Sequence, residues 1–271
     1  MTVRLWAELD SAGLADYRSP ESVALLPLGA VEQHGPHLPL NTDTRIAQGL
    51  AEEAMNRCPS ALPLLCLPVL SIGQGIEHAG HAGTLALEAA TFEAVLYDLG
   101  ASVARSGLRR LVLFSAHGGN LAAVDTAALR LRRDFGLLVV KACYFDFPPL
   151  ADAMPERELR EGLHGGALET ALMLHFDPDR VDVTRLGHHP SIEFDALADH
   201  HWLGAETRAA RFAWLAEDLN PSGVCGDSRL ATSALGARLA GHYGAVLAGV
   251  IEETAGFPLD RLKPPPADPQ R

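Results

Sequence analysis

Short apolar runs alternate along this chain with amphipathic stretches of helical length, and that alternation leaves few folds open. Val23-Ala24-Leu25-Leu26-Pro27-Leu28 is one such run, and Leu62 to Leu70 is a second. Arg110 to Ser115 is the clearest, and Leu137 to Tyr144 is a fourth. The spacing between them predicts helices over 44–57, 88–106 and 121–135. The second carries Phe92, Val95, Leu96, Leu99 and Val103 on one face, and the third carries Leu121, Val124, Ala128, Leu131 and Phe135. Strands joined by crossovers of this length pair in parallel, and a parallel sheet is covered on both faces. The fold class expected is therefore α/β with a mostly parallel central sheet. Asn41 or Asp43 is placed to cap the helix that starts near Thr44. The strand at 62–70 tolerates its prolines only if it sits near an edge or starts late.

The remaining elements are less sharply marked. Weak apolar marks at Leu5, Leu9 and Leu14 predict a helix over 3–18. A charged, proline-containing stretch at 145–162 reads as a surface excursion with a short helix. Helices are expected after His164, over 203–216 and from about 231 to 254, and Gly107 closes the helix before it. No long Gly/Ser or charged linker divides the 271 residues, so 1–257 is expected to form a single domain. The proline-rich tail, 258–271, is expected to be extended or disordered.

Composition removes several functions. A formal charge of -12 argues against a nucleic-acid partner, which needs a basic face. Arg4, Glu8 and Asp10 interrupt any secretory h-region, and no stretch reaches the roughly 18 apolar residues of a membrane span. The four cysteines form no CxxC pair, so neither a zinc ribbon nor a disulfide framework is indicated. A cytoplasmic setting, with no membrane partner, is the expectation.

The chemistry collects in the loops after the strands. Glu32, His34, His37 and Asp43 follow the first, Glu77, His78 and His81 the second, and His117 the third, while His164 and Glu169 open a helix. Carboxyl ends of parallel strands lie side by side, so these residues can converge. Carboxylate with imidazole is the donor set of zinc, manganese or iron. For any single loop, solvated histidines are the plainer reading; histidines at the ends of several strands of one sheet are harder to explain that way. Gly118-Gly119-Asn120 before a helix could cradle an anion or let the backbone pass close beneath a metal centre. The chain has no GxGxxG, GxxxxGK[ST] or GxSxG motif, which weakens nucleotide and serine-nucleophile readings.

Taken together, these segments resemble a known family. The stretch Leu-Pro-Leu-Gly-Ala-Val-Glu-Gln-His-Gly-Pro-His-Leu-Pro-Leu-Asn-Thr-Asp at 26–43, Gly-Thr at 83–84, His-Gly-Gly-Asn at 117–120, His-Gly-Gly-x-x-Glu-Thr at 164–170 and Gly-Val-x-Gly-Asp at 223–227 look like the creatininase (creatinine amidohydrolase) family. The match is collinear from about residue 20 to 250. It implies a three-layer α/β/α sandwich, a homo-oligomer that is often a hexamer, and two divalent metal ions, for which zinc and/or manganese are expected and iron is a further option. The implied activity is hydrolysis of a C–N bond in a small-molecule substrate, a cyclic amide, a formamide or a related amide. By the same resemblance Glu32, His34 and His117 match metal ligands, Asp43 the carboxylate shared by both metals, and His164 the catalytic proton carrier.

One departure bears on the site. Creatininases proper read His-Tyr-Glu-Asn where this chain reads His117-Gly118-Gly119-Asn120, and Gly119 cannot replace that Glu as a ligand; Glu169 is the candidate replacement. The family also holds a formamide-cleaving deformylase of pyrimidine precursors and a peptidase of mycofactocin maturation. A peptidase-like member acting on a modified peptide, or a non-catalytic small-molecule-binding member, is thus the alternative. Glu77, His78, Gly118 and Gly119 are expected to line the substrate, although Glu77, His78 and His81 also fit a solvated loop. His37 and Asn120 are expected to fix their loops by hydrogen bonds. A carboxylate-bridged metal pair about 3.5–4 Å apart can activate a hydroxide at neutral pH and polarise the amide carbonyl.

Overall fold

Four strands form one parallel sheet in the order β2-β1-β3-β4: β1 (Val23–Leu28), β2 (Leu64–Cys66), β3 (Arg110–Ser115) and β4 (Leu138–Cys143). The computed structural model describes residues 4–192, 196–206 and 208–264. Every residue of β1 and β3 is buried, because alternate side chains enter two different cores. Val23, Leu25, Val112 and Phe114 meet α1 (Thr42–Arg57), α5 (Ala167–Phe176) and α7 (Ser233–Gly256) on one face. Ala24, Leu26, Leu28, Leu111 and Leu113 meet α2 (Ala89–Arg105) and α3 (Leu121–Phe135) on the other. The result is three layers, helices on both sides of a sheet.

Chain path positions the site. From β1 the chain crosses through α1, on the first face, to β2 on one side. From β2 it returns through α2, on the opposite face, to β3 on the other side of β1. The strand order therefore reverses between β1 and β3, and the crevice at the carboxyl ends of those strands is where an open α/β sheet binds its ligand.

Helix α7 is long and apolar enough, by length and composition alone, to cross a membrane. Here its apolar stripe packs on α1 and α5, with half of the apolar window buried. Gly236 allows α5 to come close: a Cβ there would overlap the Ala171 carbonyl, whose carbon would lie 2.7 Å away. Gly236→Ala gains about 1 kcal/mol of helix propensity but must push α5 and α7 apart, at about 1–3 kcal/mol or more. The overlap is with backbone and cannot be relieved by a rotamer, so we expect a net loss, read as a lower urea midpoint at unchanged m-value.

Several expectations are corrected. The segment 3–18 is not one helix: it forms two 3-10 turns, Trp6–Glu8 and Gly13–Tyr17. The Asp10 carboxylate accepts the Gly13 N–H at 2.7 Å, a local bond that competes with helix. Asn41 stands at the start of α1 without a side-chain cap, and Asp43 lies inside the first turn. The second strand shortens to Leu64–Cys66 and is an edge strand. Among the described residues of 203–216 the expected helix is absent; Leu203–Gly204 pairs with Ala210–Arg211, and only the single turn α6 (Ala216–Leu219) is helical there. Glu206 folds that segment on itself by accepting from Arg211 Nη1 at 3.1 Å and Trp214 Nε1 at 3.3 Å. The excursion at 145–162 holds its short helix as α4 (Glu156–Glu161). In the tail, Leu259–Arg261 forms a 3-10 turn, and 265–271 lie outside the described residues.

Candidate metal centre

The loop after β1 delivers Glu32 and His34, the first turn of α1 delivers Asp43, and the end of β3 delivers His117. His164 and Glu169 arrive from the start of α5, against the first-face core. All six are buried, and three overlapping groups of donor atoms form: Glu32, His34 and His164; Glu32, Asp43 and His117; His34, Asp43 and Glu169. Asp43 belongs to two of them. Its Oδ1 lies 3.1 Å from His34 Nε2, and its Oδ2 lies 3.2 Å from His117 Nδ1. Glu169 Oε1 is 4.0 Å from His34 Nε2. Glu32 Oε2 is 3.3 Å from His117 Nε2, and Glu32 Oε1 is 3.7 Å from His164 Nδ1.

Hydrogen bonds on the far side of each ring decide which nitrogen faces inward. A backbone carbonyl only accepts, so the ring nitrogen opposite it carries the proton. His34 Nδ1 donates to the Glu32 carbonyl at 3.2 Å, His117 Nε2 to the Gln74 carbonyl at 2.7 Å, and His164 Nε2 to the Gln33 carbonyl at 2.6 Å. The other nitrogen of each faces a carboxylate. Lone pair against anion is repulsive unless a proton or another cation lies between them.

His78 differs. The Gln33 amide is oriented by two backbone partners, Oε1 accepting from Gly35 N at 3.0 Å and Nε2 donating to Gly223 O at 2.7 Å. Gln33 Nε2 also faces His78 Nδ1 at 3.1 Å and must be the donor there. The His78 proton is therefore on Nε2, which faces Glu32 Oε1 at 3.3 Å. That N–H only leans toward Glu32 without completing a hydrogen bond, and with its proton on Nε2 and Nδ1 taken by Gln33, His78 has no lone pair to offer a metal.

The electrostatics agree with a cation-seeking centre. Burial opposes charge on His34, yet Asp43, then Glu169 and Glu32, hold its pKa up at about 10. Burial likewise opposes charge on His117, and Glu32 and Asp43 overcome it, raising its pKa well above the ordinary value. Burial pushes Glu32 up to about 7 against the pull of His117. Asp43 is lowered in spite of burial, because His34 and His117 flank it. Burial raises Glu169 against His34. Burial, reinforced by neighbouring imidazoles, lowers His78 to about 3 and drives His164 well below the usual histidine range. His164 is therefore neutral.

Both Glu32 oxygens and Asp43 Oδ2 are buried without a hydrogen-bond partner. Leaving a buried acceptor unmade costs about 1–3 kcal/mol, more for a charged one. Divalent cations would satisfy these oxygens together with the inward nitrogens of His34 and His117. The residues present fit metal ions.

The other expected residues fall around this centre. His37 lies outside the three groups; its Nε2 meets Thr170 Oγ1 at 2.9 Å. Asn120 ties three loops, donating to Gly29 O at 3.1 Å and Ser115 Oγ at 3.3 Å and accepting from Gln74 N at 3.0 Å. Glu77 Oε1 stands 3.4 Å from His117 Nε2, and Gly118 and Gly119 run beside it. His81 pairs with Glu217 at 3.5 Å, away from the ligand groups. All four cysteines are buried, and none is in a disulfide.

Two supporting residues escape a reading of the sequence. Gln33 fixes His78 through its side chain and His164 through its carbonyl, and Tyr144 donates to Glu169 Oε1 at 3.3 Å. Their signals are weak: Gln33 sits between two ligand candidates, and Tyr144 follows a parallel strand at its carboxyl end. Above the centre opens a cavity of about 790 Å³, floored by Glu32, Asp43, His117, His164 and Glu169 and walled by Leu121, Phe145, Phe147, Phe212, Trp214 and Tyr243.

Comparison with known proteins points the same way. The creatininase family profile (creatinine amidohydrolase) matches residues 7–251. A mycofactocin precursor peptide peptidase of Mycobacterium ulcerans (strain Agy99) is 31% identical over 245 residues, 88% of this chain and 87% of that protein. A creatinine amidohydrolase of Pseudomonas putida is 33% identical over 192 residues, 64% of this chain and 72% of the relative. A solved structure described as creatininase with Mn superposes with a TM-score of 0.69 at 26% identity, covering 96% of this chain and 99% of its own.

Proposed function

The chain belongs to the creatininase family, and from that premise we propose that it is a metal-dependent amidohydrolase that works at the carboxyl ends of β1 and β3. One observation carries the reading: three overlapping ligand groups share Glu32, His34 and Asp43, and both Glu32 oxygens and Asp43 Oδ2 are buried there without a hydrogen-bond partner. Asp43 would bridge two sites, one completed by Glu32 and His117 and the other by His34 and Glu169. Zinc and manganese both suit this donor set, as does iron. Divalent ions held there supply Lewis acidity to an amide carbonyl and lower the pKa of water.

The protein's own groups would do the rest. His164 is neutral, with Nε2–H fixed on the Gln33 carbonyl and Nδ1 open toward the centre. Nδ1 can take the proton of the attacking water and pass it to the nitrogen as the C–N bond breaks. Its depressed pKa suits the second step, since a weakly basic imidazole readily gives its proton to a departing amine. Tyr144 and the Gly165 N–H, at 3.3 and 2.5 Å, hold the two oxygens of Glu169. The apolar walls limit water around the reacting amide.

A second reading concerns the substrate. A cavity of about 790 Å³ is far larger than a small cyclic amide or a formamide requires. That volume, with the likeness to a mycofactocin precursor peptide peptidase, favours an amide within a modified peptide. The test is a panel of cyclic amides, N-formyl compounds and short peptides, offered to the manganese- and zinc-loaded chain. We expect turnover of at least one class, lost on chelation and restored by the metal. No turnover, with fewer than one tightly bound ion per chain by elemental analysis, would instead make this a non-catalytic binding member.

A further inference from the structure

The His-Gly-Gly-Asn segment strips side chains from one wall of the cavity, and a single carboxylate uses the space. A Cβ on Gly119 would fall inside contact distance of Glu77 Oε1 and His117 Nε2, with Glu77 Cδ only 3.0 Å away. A Cβ on Gly118 would meet nothing within 4 Å. Glycine at 119 thus admits the Glu77 carboxylate, and glycine at 118 leaves open room within the same cavity. The 3-10 turn Ile76–His78 presents Glu77 from the loop after β2.

Glu77 is not consumed by its neighbour. His117 Nε2 already donates to the Gln74 carbonyl at 2.7 Å, and Glu77 Oε1 stands off at 3.4 Å. Nor does Glu77 join any of the three ligand groups. It faces the cavity from the side of His117 away from Asp43, with 16% of its side chain exposed. Its carboxylate therefore keeps acceptor capacity beside open space, next to where an amide must lie if its carbonyl is to reach the ligand cluster.

We propose that Glu77 is a specificity-determining residue that accepts a hydrogen bond from the N–H of the substrate amide, selecting amides that carry a proton on nitrogen. This rests on the amidohydrolase reading above. A carboxylate offers only acceptors, so it favours an N–H and penalises an N-alkyl group in the same place.

The probes are acetohydroxamic acid and N-methylacetohydroxamic acid, which chelate metal through the same two oxygens and differ in the N–H. Each is titrated calorimetrically into the full manganese-loaded chain. We expect the N–H compound to bind about tenfold or more tightly in the wild type, the scale of a hydrogen bond to a charged group. That ratio should collapse to about one in Glu77→Ala and be partly kept in Glu77→Gln, whose amide oxygen still accepts. The ratio is taken within each variant, so a general loss of affinity or stability cancels. If both probes bind and the ratio is the same in wild type and Glu77→Ala, the assignment of Glu77 is wrong while the metal-centre reading stands. If neither probe binds, both readings fall together.

Discussion

Asp43→Asn should lower amide hydrolysis by at least about a thousandfold and leave neither metal tightly held. The carboxylate sits between two imidazoles, Oδ1 toward His34 and Oδ2 toward His117, and belongs to both ligand groups that would make a pair of sites. Asparagine preserves shape but supplies one neutral oxygen and an NH2 that cannot ligate, so one site loses its donor and the other loses a full charge. Removing a single preorganised electrostatic group costs about 10²–10³ in turnover; a shared ligand should exceed that. The fold should survive, because the substitution changes no volume, and the Asp43 backbone stays in the first turn of α1. Metal content after dialysis and residual hydrolysis are the readouts. Two retained ions with turnover near wild type would place the centre elsewhere.

How much of this can be read in the sequence depends on what fixes each element. β3 and α3 stand where the apolar spacing puts them, because periodicity and burial agree there. Glu32, His34, Asp43 and His117 can be grouped in advance, since parallel strands bring their carboxyl ends together whatever the details of the loops. The segment 203–216 misleads because its apolar residues, Ala205, Phe212 and Trp214, serve a small satellite cluster with Leu163 and Ile192 and not a helix face. The role of Gln33 is illegible for another reason. Its importance lies in an amide orientation set by Gly35 and Gly223, and Gly223 is distant in sequence. Position alone also suggests a capping role for Asp43 that the structure does not show; the same short acidic side chain at a helix start serves a cap or a ligand site equally well.

Glu169→Gln should separate the two sites. Gly119 offers no ligand, and the donor that faces His34 and Asp43 from α5 is Glu169. If it completes the second site, the glutamine variant should bind one ion tightly, at Glu32, Asp43 and His117, and lose the other. Affinity at the second site should fall by more than the roughly 10–100-fold typical of changes just outside a ligand shell. Hydrolysis should drop by about a hundredfold or more. Glutamine is close in size, and its one oxygen can still accept from Gly165 N, so the start of α5 should stay in place. Tyr144→Phe is the comparison: it removes only the hydroxyl that donates to Glu169 Oε1 at 3.3 Å, and should cost far less metal. Elemental analysis of dialysed protein gives the count for each variant. Two ions in Glu169→Gln would show that the ligand missing at Gly119 is supplied from another residue, whereas one ion there against two in Tyr144→Phe would place the exchange at position 169.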